Sequence, residues 1–137
     1  MKVIIDTNLW ISFLIGHQTQ LVRWVLTDLR FDVYVCDRLL EEIRDVASRD
    51  KIRKRVTPTD VEDLLSIIHA FCQFATIHTK VSPSAVRDPK DLYLLALAET
   101  IGADYIVSGD ADLTDIGQYQ QTKIIKLADF KAIMLYP

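Results

Sequence analysis

Short β-branched segments alternate with longer segments of helical periodicity along most of this chain. The segments VII at 3–5, FDVYVC at 31–36 and ADYIVSGD at 103–110 are typical of strands, and apolar residues at helical spacing follow each of the first two. Strands joined through helices form right-handed crossovers, and their sheet is mostly parallel. We therefore expect an α/β fold in which helices cover both faces of the sheet.

The same reading assigns an element to most of the sequence. Capping residues, glycine and proline give the expected boundaries, with Asp37, Asp60 and Asp129 interpreted as helix caps. The expected order is a strand at 3–5, a helix ended by Gly16, a helix at 21–29, a strand at 31–36, a helix capped by Asp37, a helix opened by the Thr/Asp signal at 57–60, a strand at 75–81, a loop at 82–91, a helix stopped by Gly102, a strand at 103–110, a strand at 122–127 and a closing helix from Asp129.

Length and composition restrict the class of protein. The chain has 137 residues, half of them apolar and 26% charged, which is the balance of a globular protein, and we expect one domain over residues 1–137. The longest apolar run, at 92–98, is too short to cross a bilayer, and no secretory pattern opens the sequence. Cys36 and Cys72 form no CxxC pair and are interpreted as buried thiols. The expected location is the cytoplasm, away from a membrane.

Acidic residues recur where predicted strands and helices end. Asp6 follows the first strand, Asp110 ends the strand at 103–110, and Asp91 opens a late helix. Glu42 lies on the helix after the second strand. In parallel sheets, sites form at the carboxyl ends of strands where the strand order reverses, so we expect these four carboxylates to converge.

Four converging carboxylates repel one another unless a cation joins them. Because neither His nor Cys occupies a candidate position, the donor set favours a hard ion, Mg²⁺ or Mn²⁺, over zinc. Such an ion completes its shell with water and substrate phosphate, and the expected chemistry is metal-assisted hydrolysis of a phosphoester.

Basic residues supply candidate contacts to an anionic substrate. Arg87 and Lys90 flank the acidic loop and are expected to touch the substrate. The basic stretch at 49–55 is interpreted either as a phosphate-binding rim or as a solvated helix end. The formal net charge of −3 does not by itself indicate a nucleic-acid-binding protein.

Taken together, the motifs DTN, LLEEI, DPKDLYLLALA and VSGDADL resemble, in this order, the PIN domain family, in particular its branch of VapC-like toxin ribonucleases. The resemblance covers essentially the whole chain and implies a three-layer α/β/α, Rossmann-like fold with a mostly parallel sheet of four to five strands. By this resemblance the catalytic acids are Asp6, Glu42, Asp91 and Asp110, with Glu41 as the alternative to Glu42.

The resemblance also implies supporting residues and partners. It makes Asp6, Asp91 and Asp110 metal ligands with Asp112 as a supplementary ligand, and it gives Asn8 and Ser108 supporting roles. The implied function is an Mg²⁺- or Mn²⁺-dependent endoribonuclease, the toxin of a type II toxin–antitoxin system, with RNA as substrate, an antitoxin protein as partner and a homodimer as the assembly.

Two other functions fit the sequence. One is a catalytically weak PIN module that binds RNA or a protein partner without cutting. The other is a phosphatase-like or receiver-like domain that forms an aspartyl-phosphate on Asp6, since such domains also place an acid after the first strand of a parallel sheet. A DxDxT phosphatase needs an acid where this chain has Asn8, which weakens the last alternative.

Overall fold

A computed structural model describes residues 1–136 as a six-stranded sheet with helices on both faces. The sheet order is β3-β2-β1-β4-β6-β5. The strands are β1 (Lys2–Ile5), β2 (Asp32–Val35), β3 (Gln73–Phe74), β4 (Tyr105–Val107), β5 (Gln118–Tyr119) and β6 (Thr122–Ile125). Five strands are parallel and only β5 is antiparallel, to β6. The predicted three-layer, mostly parallel α/β fold is confirmed.

Eight helices connect and cover these strands. They are α1 (Thr7–Ile15), α2 (Thr19–Thr27), α3 (Asp37–Ala47), α4 (Asp50–Arg53), α5 (Pro58–Phe71), α6 (Leu92–Ile101), α7 (Ala111–Thr114) and α8 (Leu127–Leu135). Helix α1 contacts α2, α3 and α5, whereas α6 contacts β1 and β4. None of the helices in residues 1–136 has both the length and the apolar character that crossing a bilayer requires.

The strand order places the reversal point between β1 and β4. From β1 the chain moves outward to β2 and β3, and it then returns to the other side of β1 with β4. In this pair Ile4 lies opposite Ile106, and both side chains are fully buried. The carboxyl ends of β1 and β4 are therefore adjacent at the centre of the sheet, where ligand sites of parallel sheets form.

Two strand predictions were wrong in detail. The strand expected at 75–81 is displaced to Gln73–Phe74, and only Ala75 extends the pairing, by donating its backbone N–H to Val35 O at 3.0 Å. The sheet also has one more strand than the upper expectation, because β5 and β6 form a short hairpin whose turn residue Gln120 has a φ of 51°. A strand of two residues is too short to produce a periodic pattern in the sequence.

Several helix boundaries also differ from expectation. Helix α2 ends before Leu29, whose side chain is fully exposed. Cys36 rather than Asp37 precedes α3, and α8 begins at Leu127, ahead of Asp129. The Thr/Asp signal before α5 is confirmed as a reciprocal capping box between Thr57 and Asp60, with Thr57 as the cap residue.

Other expectations agree with the structure. Gly102 ends α6 with a φ of 67°, a left-handed conformation that glycine adopts without steric cost. Cys36 and Cys72 are buried free thiols, and burial raises the pKa of Cys72 to about 12. Trp10 is 1% exposed and packs edge-on against Phe13, so it belongs to the hydrophobic core.

Candidate functional site

The acids that follow β1 and β4 lie side by side because the two strands pair in register. Ile5 is opposite Val107, so Asp6 leaves the sheet next to the segment Ser108–Gly109–Asp110. The Asp6 N–H donates to Val107 O at 3.0 Å, which extends the ladder to the first acid. The expected proximity of Asp6 and Asp110 is thus a direct result of parallel pairing.

Both carboxyl oxygens of Asp6 accept hydrogen bonds. Oδ1 caps α1 by accepting from Leu9 N–H at 3.0 Å, and Oδ2 accepts from the Ser108 hydroxyl. The side chain is 3% exposed. Burial raises the pKa of Asp6, with the neighbouring Asp110 charge acting in the same direction, whereas the two hydrogen bonds lower it. Asp6 therefore caps α1 and is also a member of the acidic group, by which we mean Asp6, Asp91 and Asp110.

Ser108 connects the two strand ends. Its hydroxyl donates to Asp6 and accepts from Asp110 N–H at 3.0 Å, and its side chain is fully buried. Asp110 in turn caps α7, with Oδ1 accepting from Asp112 N–H at 2.9 Å. The predicted supporting position of Ser108 thus lies between the two acids.

Asp91 is the third member of the group and the least satisfied. It lies at the start of α6, and its Oδ2 is buried without a hydrogen-bond partner in the described chain. Burial first and the adjacent Asp110 second raise the pKa of Asp91 to about 7. A buried carboxyl oxygen without a donor is costly, so this position favours a proton or a cation.

Glu42 joins this region through Thr7. The Thr7 hydroxyl donates to Glu42 Oε2 at 3.2 Å and lies 3.4 Å from the Tyr93 hydroxyl. Glu42 is half-buried, whereas Glu41 is exposed on the neighbouring face of α3. The orientation of α3 therefore favours Glu42 over Glu41 as the acid that faces the site.

Asp112 and Arg87 are paired with each other. Arg87 Nε lies 3.1 Å from Asp112 Oδ1, and Arg87 Nη2 lies 2.7 Å from Asp115 Oδ2 and donates to Ala111 O at 2.9 Å. The ligand role of Asp112 and the substrate role of Arg87 remain predictions, but each residue would have to exchange this ion pair for its new partner. Lys90 is exposed, and its ammonium forms no salt bridge within residues 1–136.

Sequence reasoning missed Thr7 and Tyr93. Thr7 is 5% exposed and holds Glu42, whereas the predicted companion Asn8 is exposed at the next position. The signal for Thr7 was available, because it lies inside the DTN motif directly after the first acid. Tyr93 carried no signal, since an aromatic residue in an apolar helix is normally part of the core.

The carboxylates of this site suit a hard cation, but few of them can bind one ion directly. No ion pair of the described chain involves Asp6, Glu42, Asp91 or Asp110, and Asp91 has an unpartnered buried oxygen. Yet nowhere in residues 1–136 do three His, Cys, Asp or Glu side chains stand close enough to hold one ion together. Mg²⁺ is commonly bound through one or two carboxylates plus water, so the residues fit a hydrated Mg²⁺ or Mn²⁺.

The same geometry disfavours an aspartyl-phosphate on Asp6. A nucleophilic carboxylate needs an accessible oxygen, whereas both oxygens of Asp6 accept hydrogen bonds and the side chain is almost fully buried. The aspartyl-phosphate alternative therefore has no geometric support at this residue.

Comparison with known families gives one match. Residues 2–112 match the PIN domain, and this range contains the five acids of the predicted site, Asp6, Glu42, Asp91, Asp110 and Asp112. PIN domains are generally nucleases and typically use divalent metal ions. A search of curated proteins finds no relative of this chain. Because the matched range spans most of its length, the chain belongs to the PIN domain family.

Proposed function

We propose that this protein is a metal-dependent endoribonuclease that hydrolyses RNA phosphodiester bonds with Mg²⁺ or Mn²⁺. The observation that carries the proposal is the group Asp6, Asp91 and Asp110, which lie near the carboxyl ends of β1 and β4 and form no salt bridge within residues 1–136. Membership of a family of nucleases supports the same class of reaction.

Asp91 and Asp110 are the carboxylates best suited to hold the ion. Burial, and after it the neighbouring charge of Asp110, raise the pKa of Asp91 to about 7, and a divalent cation would offset both effects. Asp6 and Asp112 are the further ligands that we propose, reached directly or through water. When bound, such an ion polarises the phosphate and lowers the pKa of a water molecule.

The other residues of the site orient these acids. Ser108 fixes Asp6 relative to the Asp110 backbone, and Thr7 holds Glu42 toward the same region. Since Glu42 is tied to Thr7 rather than to Asp91 or Asp110, we assign it to orienting the water or the substrate at the edge of the group. Asn8, exposed at the start of α1, is proposed to contact the substrate side of the site.

Asp6→Asn and Asp110→Asn test the proposal. Asparagine preserves a capping oxygen at both helix starts but removes the negative charge, so Mn²⁺-dependent cleavage of a single-stranded RNA should fall at least about 100-fold, the scale of losing a preorganised electrostatic contact. The measurement is the single-turnover cleavage rate, with circular dichroism to verify folding.

Asp63→Asn is the matched control, because Asp63 is exposed on α5 and forms no salt bridge within the described residues. This variant should cleave like the wild type. Undiminished cleavage by both site variants would refute the assignment of the acids.

A second function is favoured by one observation, the lack of a three-residue metal cluster within residues 1–136. In that case the chain is a PIN module that binds RNA or a protein without cutting. Calorimetric titration with Mn²⁺ separates the two functions: a saturable binding heat that Asp110→Asn abolishes supports the nuclease, and no heat at millimolar Mn²⁺ supports the binding module.

The biological setting that we propose is the toxin half of a type II toxin–antitoxin system in the cytoplasm, with an antitoxin partner and a homodimeric assembly. This setting derives from the resemblance of the acid motifs to VapC-like toxins. A small DNA-binding protein encoded next to this gene, which suppresses the growth defect caused by expressing the chain, would support it.

A further inference from the structure

Arg38 lies at the start of α3, one turn before Glu42, and its guanidinium packs over the ring of Tyr93. The distance from Arg38 Cζ to the ring centroid is 4.7 Å. Tyr93 follows Asp91 by two positions on α6 and is only 6% exposed, so the ring is held firmly by the core. A guanidinium over an aromatic face is attracted by the ring and keeps its planar fork in a defined orientation.

The ring that supports Arg38 is part of the acidic site. The Tyr93 hydroxyl lies 3.4 Å from Thr7 Oγ1, and the Thr7 hydroxyl donates to Glu42 Oε2 at 3.2 Å. Thr7 follows Asp6 directly. Arg38 is exposed, so its guanidinium lies at the solvent edge of the site, whereas the ring of Tyr93 beneath it is buried.

Arg38 has no carboxylate partner within residues 1–136, unlike Arg44 and Arg49 near the other end of α3 and Arg87 beside Asp112. Among the described residues, Arg44 pairs with Glu62, Arg49 with Asp45, and Arg87 with Asp112 and Asp115, whereas Arg38 forms no salt bridge. The guanidinium fork matches the geometry of a phosphate, and the contact of Arg38 with the Tyr93 ring uses the face of the guanidinium and leaves its N–H donors to bind one. Arg87, the arginine favoured by the sequence, already uses its donors within the protein.

We propose that Arg38 is the substrate-binding cation of this site, oriented by Tyr93 to contact a phosphate of the RNA strand beside the scissile bond. The inference rests on the proposed ribonuclease function. Arg38 takes no part in bond making: it binds a phosphate and so places the neighbouring phosphodiester at the acids.

Arg38→Gln is the test, with Arg44→Gln as the matched control. Both variants remove one positive charge from α3, but Arg44 is paired with Glu62. Steady-state cleavage of a fluorophore- and quencher-labelled 20-nucleotide RNA of mixed sequence is measured with Mn²⁺ over a series of KCl concentrations. For Arg38→Gln we expect a KM about ten-fold higher with kcat little changed, as for loss of a charged hydrogen bond used in binding.

Salt dependence gives a readout that a structural role would not move. Loss of one phosphate contact to a single strand should make the slope of log(kcat/KM) against log[KCl] shallower by about 0.7. Arg44→Gln should keep the wild-type KM and slope. Arg38→Lys should recover the slope but only part of the affinity, because lysine keeps the charge and lacks the stacked fork.

Each result has a distinct meaning. If the wild type cleaves and Arg38→Gln behaves like Arg44→Gln, the role of Arg38 is refuted and the ribonuclease function stands. A fall in kcat at unchanged KM would also refute it, since the residue would then act in the chemical step. If the wild type cleaves no RNA with either Mg²⁺ or Mn²⁺, both the proposed function and this inference fail.

Discussion

At the scale of single residues, the site shows how one carboxylate serves two purposes. Asp6 caps α1 and also belongs to the acidic group. The cap uses one lone pair of Oδ1, so the carboxylate keeps further lone pairs for other contacts. An acid after a strand is most often only a helix cap, and Asp6 does cap α1. It has a second role because β4 places Asp110 beside it.

Asp91 gives the clearest prediction at this scale. Its pKa in the folded protein, about 7, is above the ordinary value of 3.8, so the folded state holds a proton that the unfolded chain releases. Ionisation of Asp91 therefore destabilises the fold: the effect is absent below the unfolded pKa, grows between the two pKa values and is complete above the folded one. We expect the unfolding free energy of the metal-free protein to fall as the pH rises from 5 to 8.

Urea unfolding in the presence of EDTA at several pH values measures this dependence. Asp91→Asn should make the profile flatter, and saturating Mg²⁺ should stabilise the wild type more at pH 8 than at pH 5, because protons and the cation compete for the same oxygens. Equal pH dependence in the wild type and Asp91→Asn would exclude Asp91 as the source.

At the scale of elements, the start of α5 is defined by a pair of local hydrogen bonds. Thr57 Oγ1 accepts from Asp60 N–H at 3.1 Å, and Asp60 Oδ2 accepts from Thr57 N–H at 2.9 Å. This reciprocal pair explains why the sequence signal at α5 was reliable. Asp37 and Asp129 lie inside the first turns of α3 and α8 instead, where a carboxylate favours the helix dipole without capping.

The capping box of α5 can be tested independently of the site. Thr57→Ala should lower the unfolding free energy by about 1 kcal/mol, the usual cost of losing a cap side chain, while Thr57→Ser should lie within a few tenths of the wild type. Thermal and urea unfolding measure the difference. Because the side chain of Thr57 bonds to Asp60 and to none of the site acids, Thr57→Ala should keep RNA cleavage at the wild-type rate, and a large loss of cleavage would reveal an unexpected coupling.

At the scale of the whole molecule, the central strands provide the rigid base of the site. Strands β1 and β4 are flanked by parallel partners on both sides, and Ile4 and Ile106 are fully buried. By contrast, residues 76–90 cross the surface with few backbone hydrogen bonds before they deliver Asp91 to the site. One wall of the site is therefore built on the core and another on an irregular segment.

Hydrogen exchange should reflect that difference. We expect the amides of β1 and β4 to exchange slowest, near the rate of global unfolding, and those of residues 76–90 to exchange fastest apart from the chain ends. Exchange measured by mass spectrometry on overlapping peptides resolves the two classes. Protection of 76–90 comparable to that of β1 would contradict the expectation.

The sequence alone determined the class of fold and the proximity of the acids that follow β1 and β4. Alternating strands and helices leave few topologies, and acids placed after strands must meet at one sheet edge when the strands are parallel. For this reason the sequence alone identified Asp6 and Asp110 as neighbours. The short strands β3 and β5 could not be predicted from the sequence, since two residues produce no periodic pattern.

Only the tertiary structure decided how the charges around the acids are distributed. Arg87 pairs with Asp112 and Asp115, Arg38 remains over Tyr93, and Thr7 rather than Asn8 reaches Glu42. Each of these contacts joins residues that are far apart in the chain, at separations set by how α3, α6 and α7 pack. Local periodicity carries no information about such packing, because it is a property of one element and these contacts are properties of pairs.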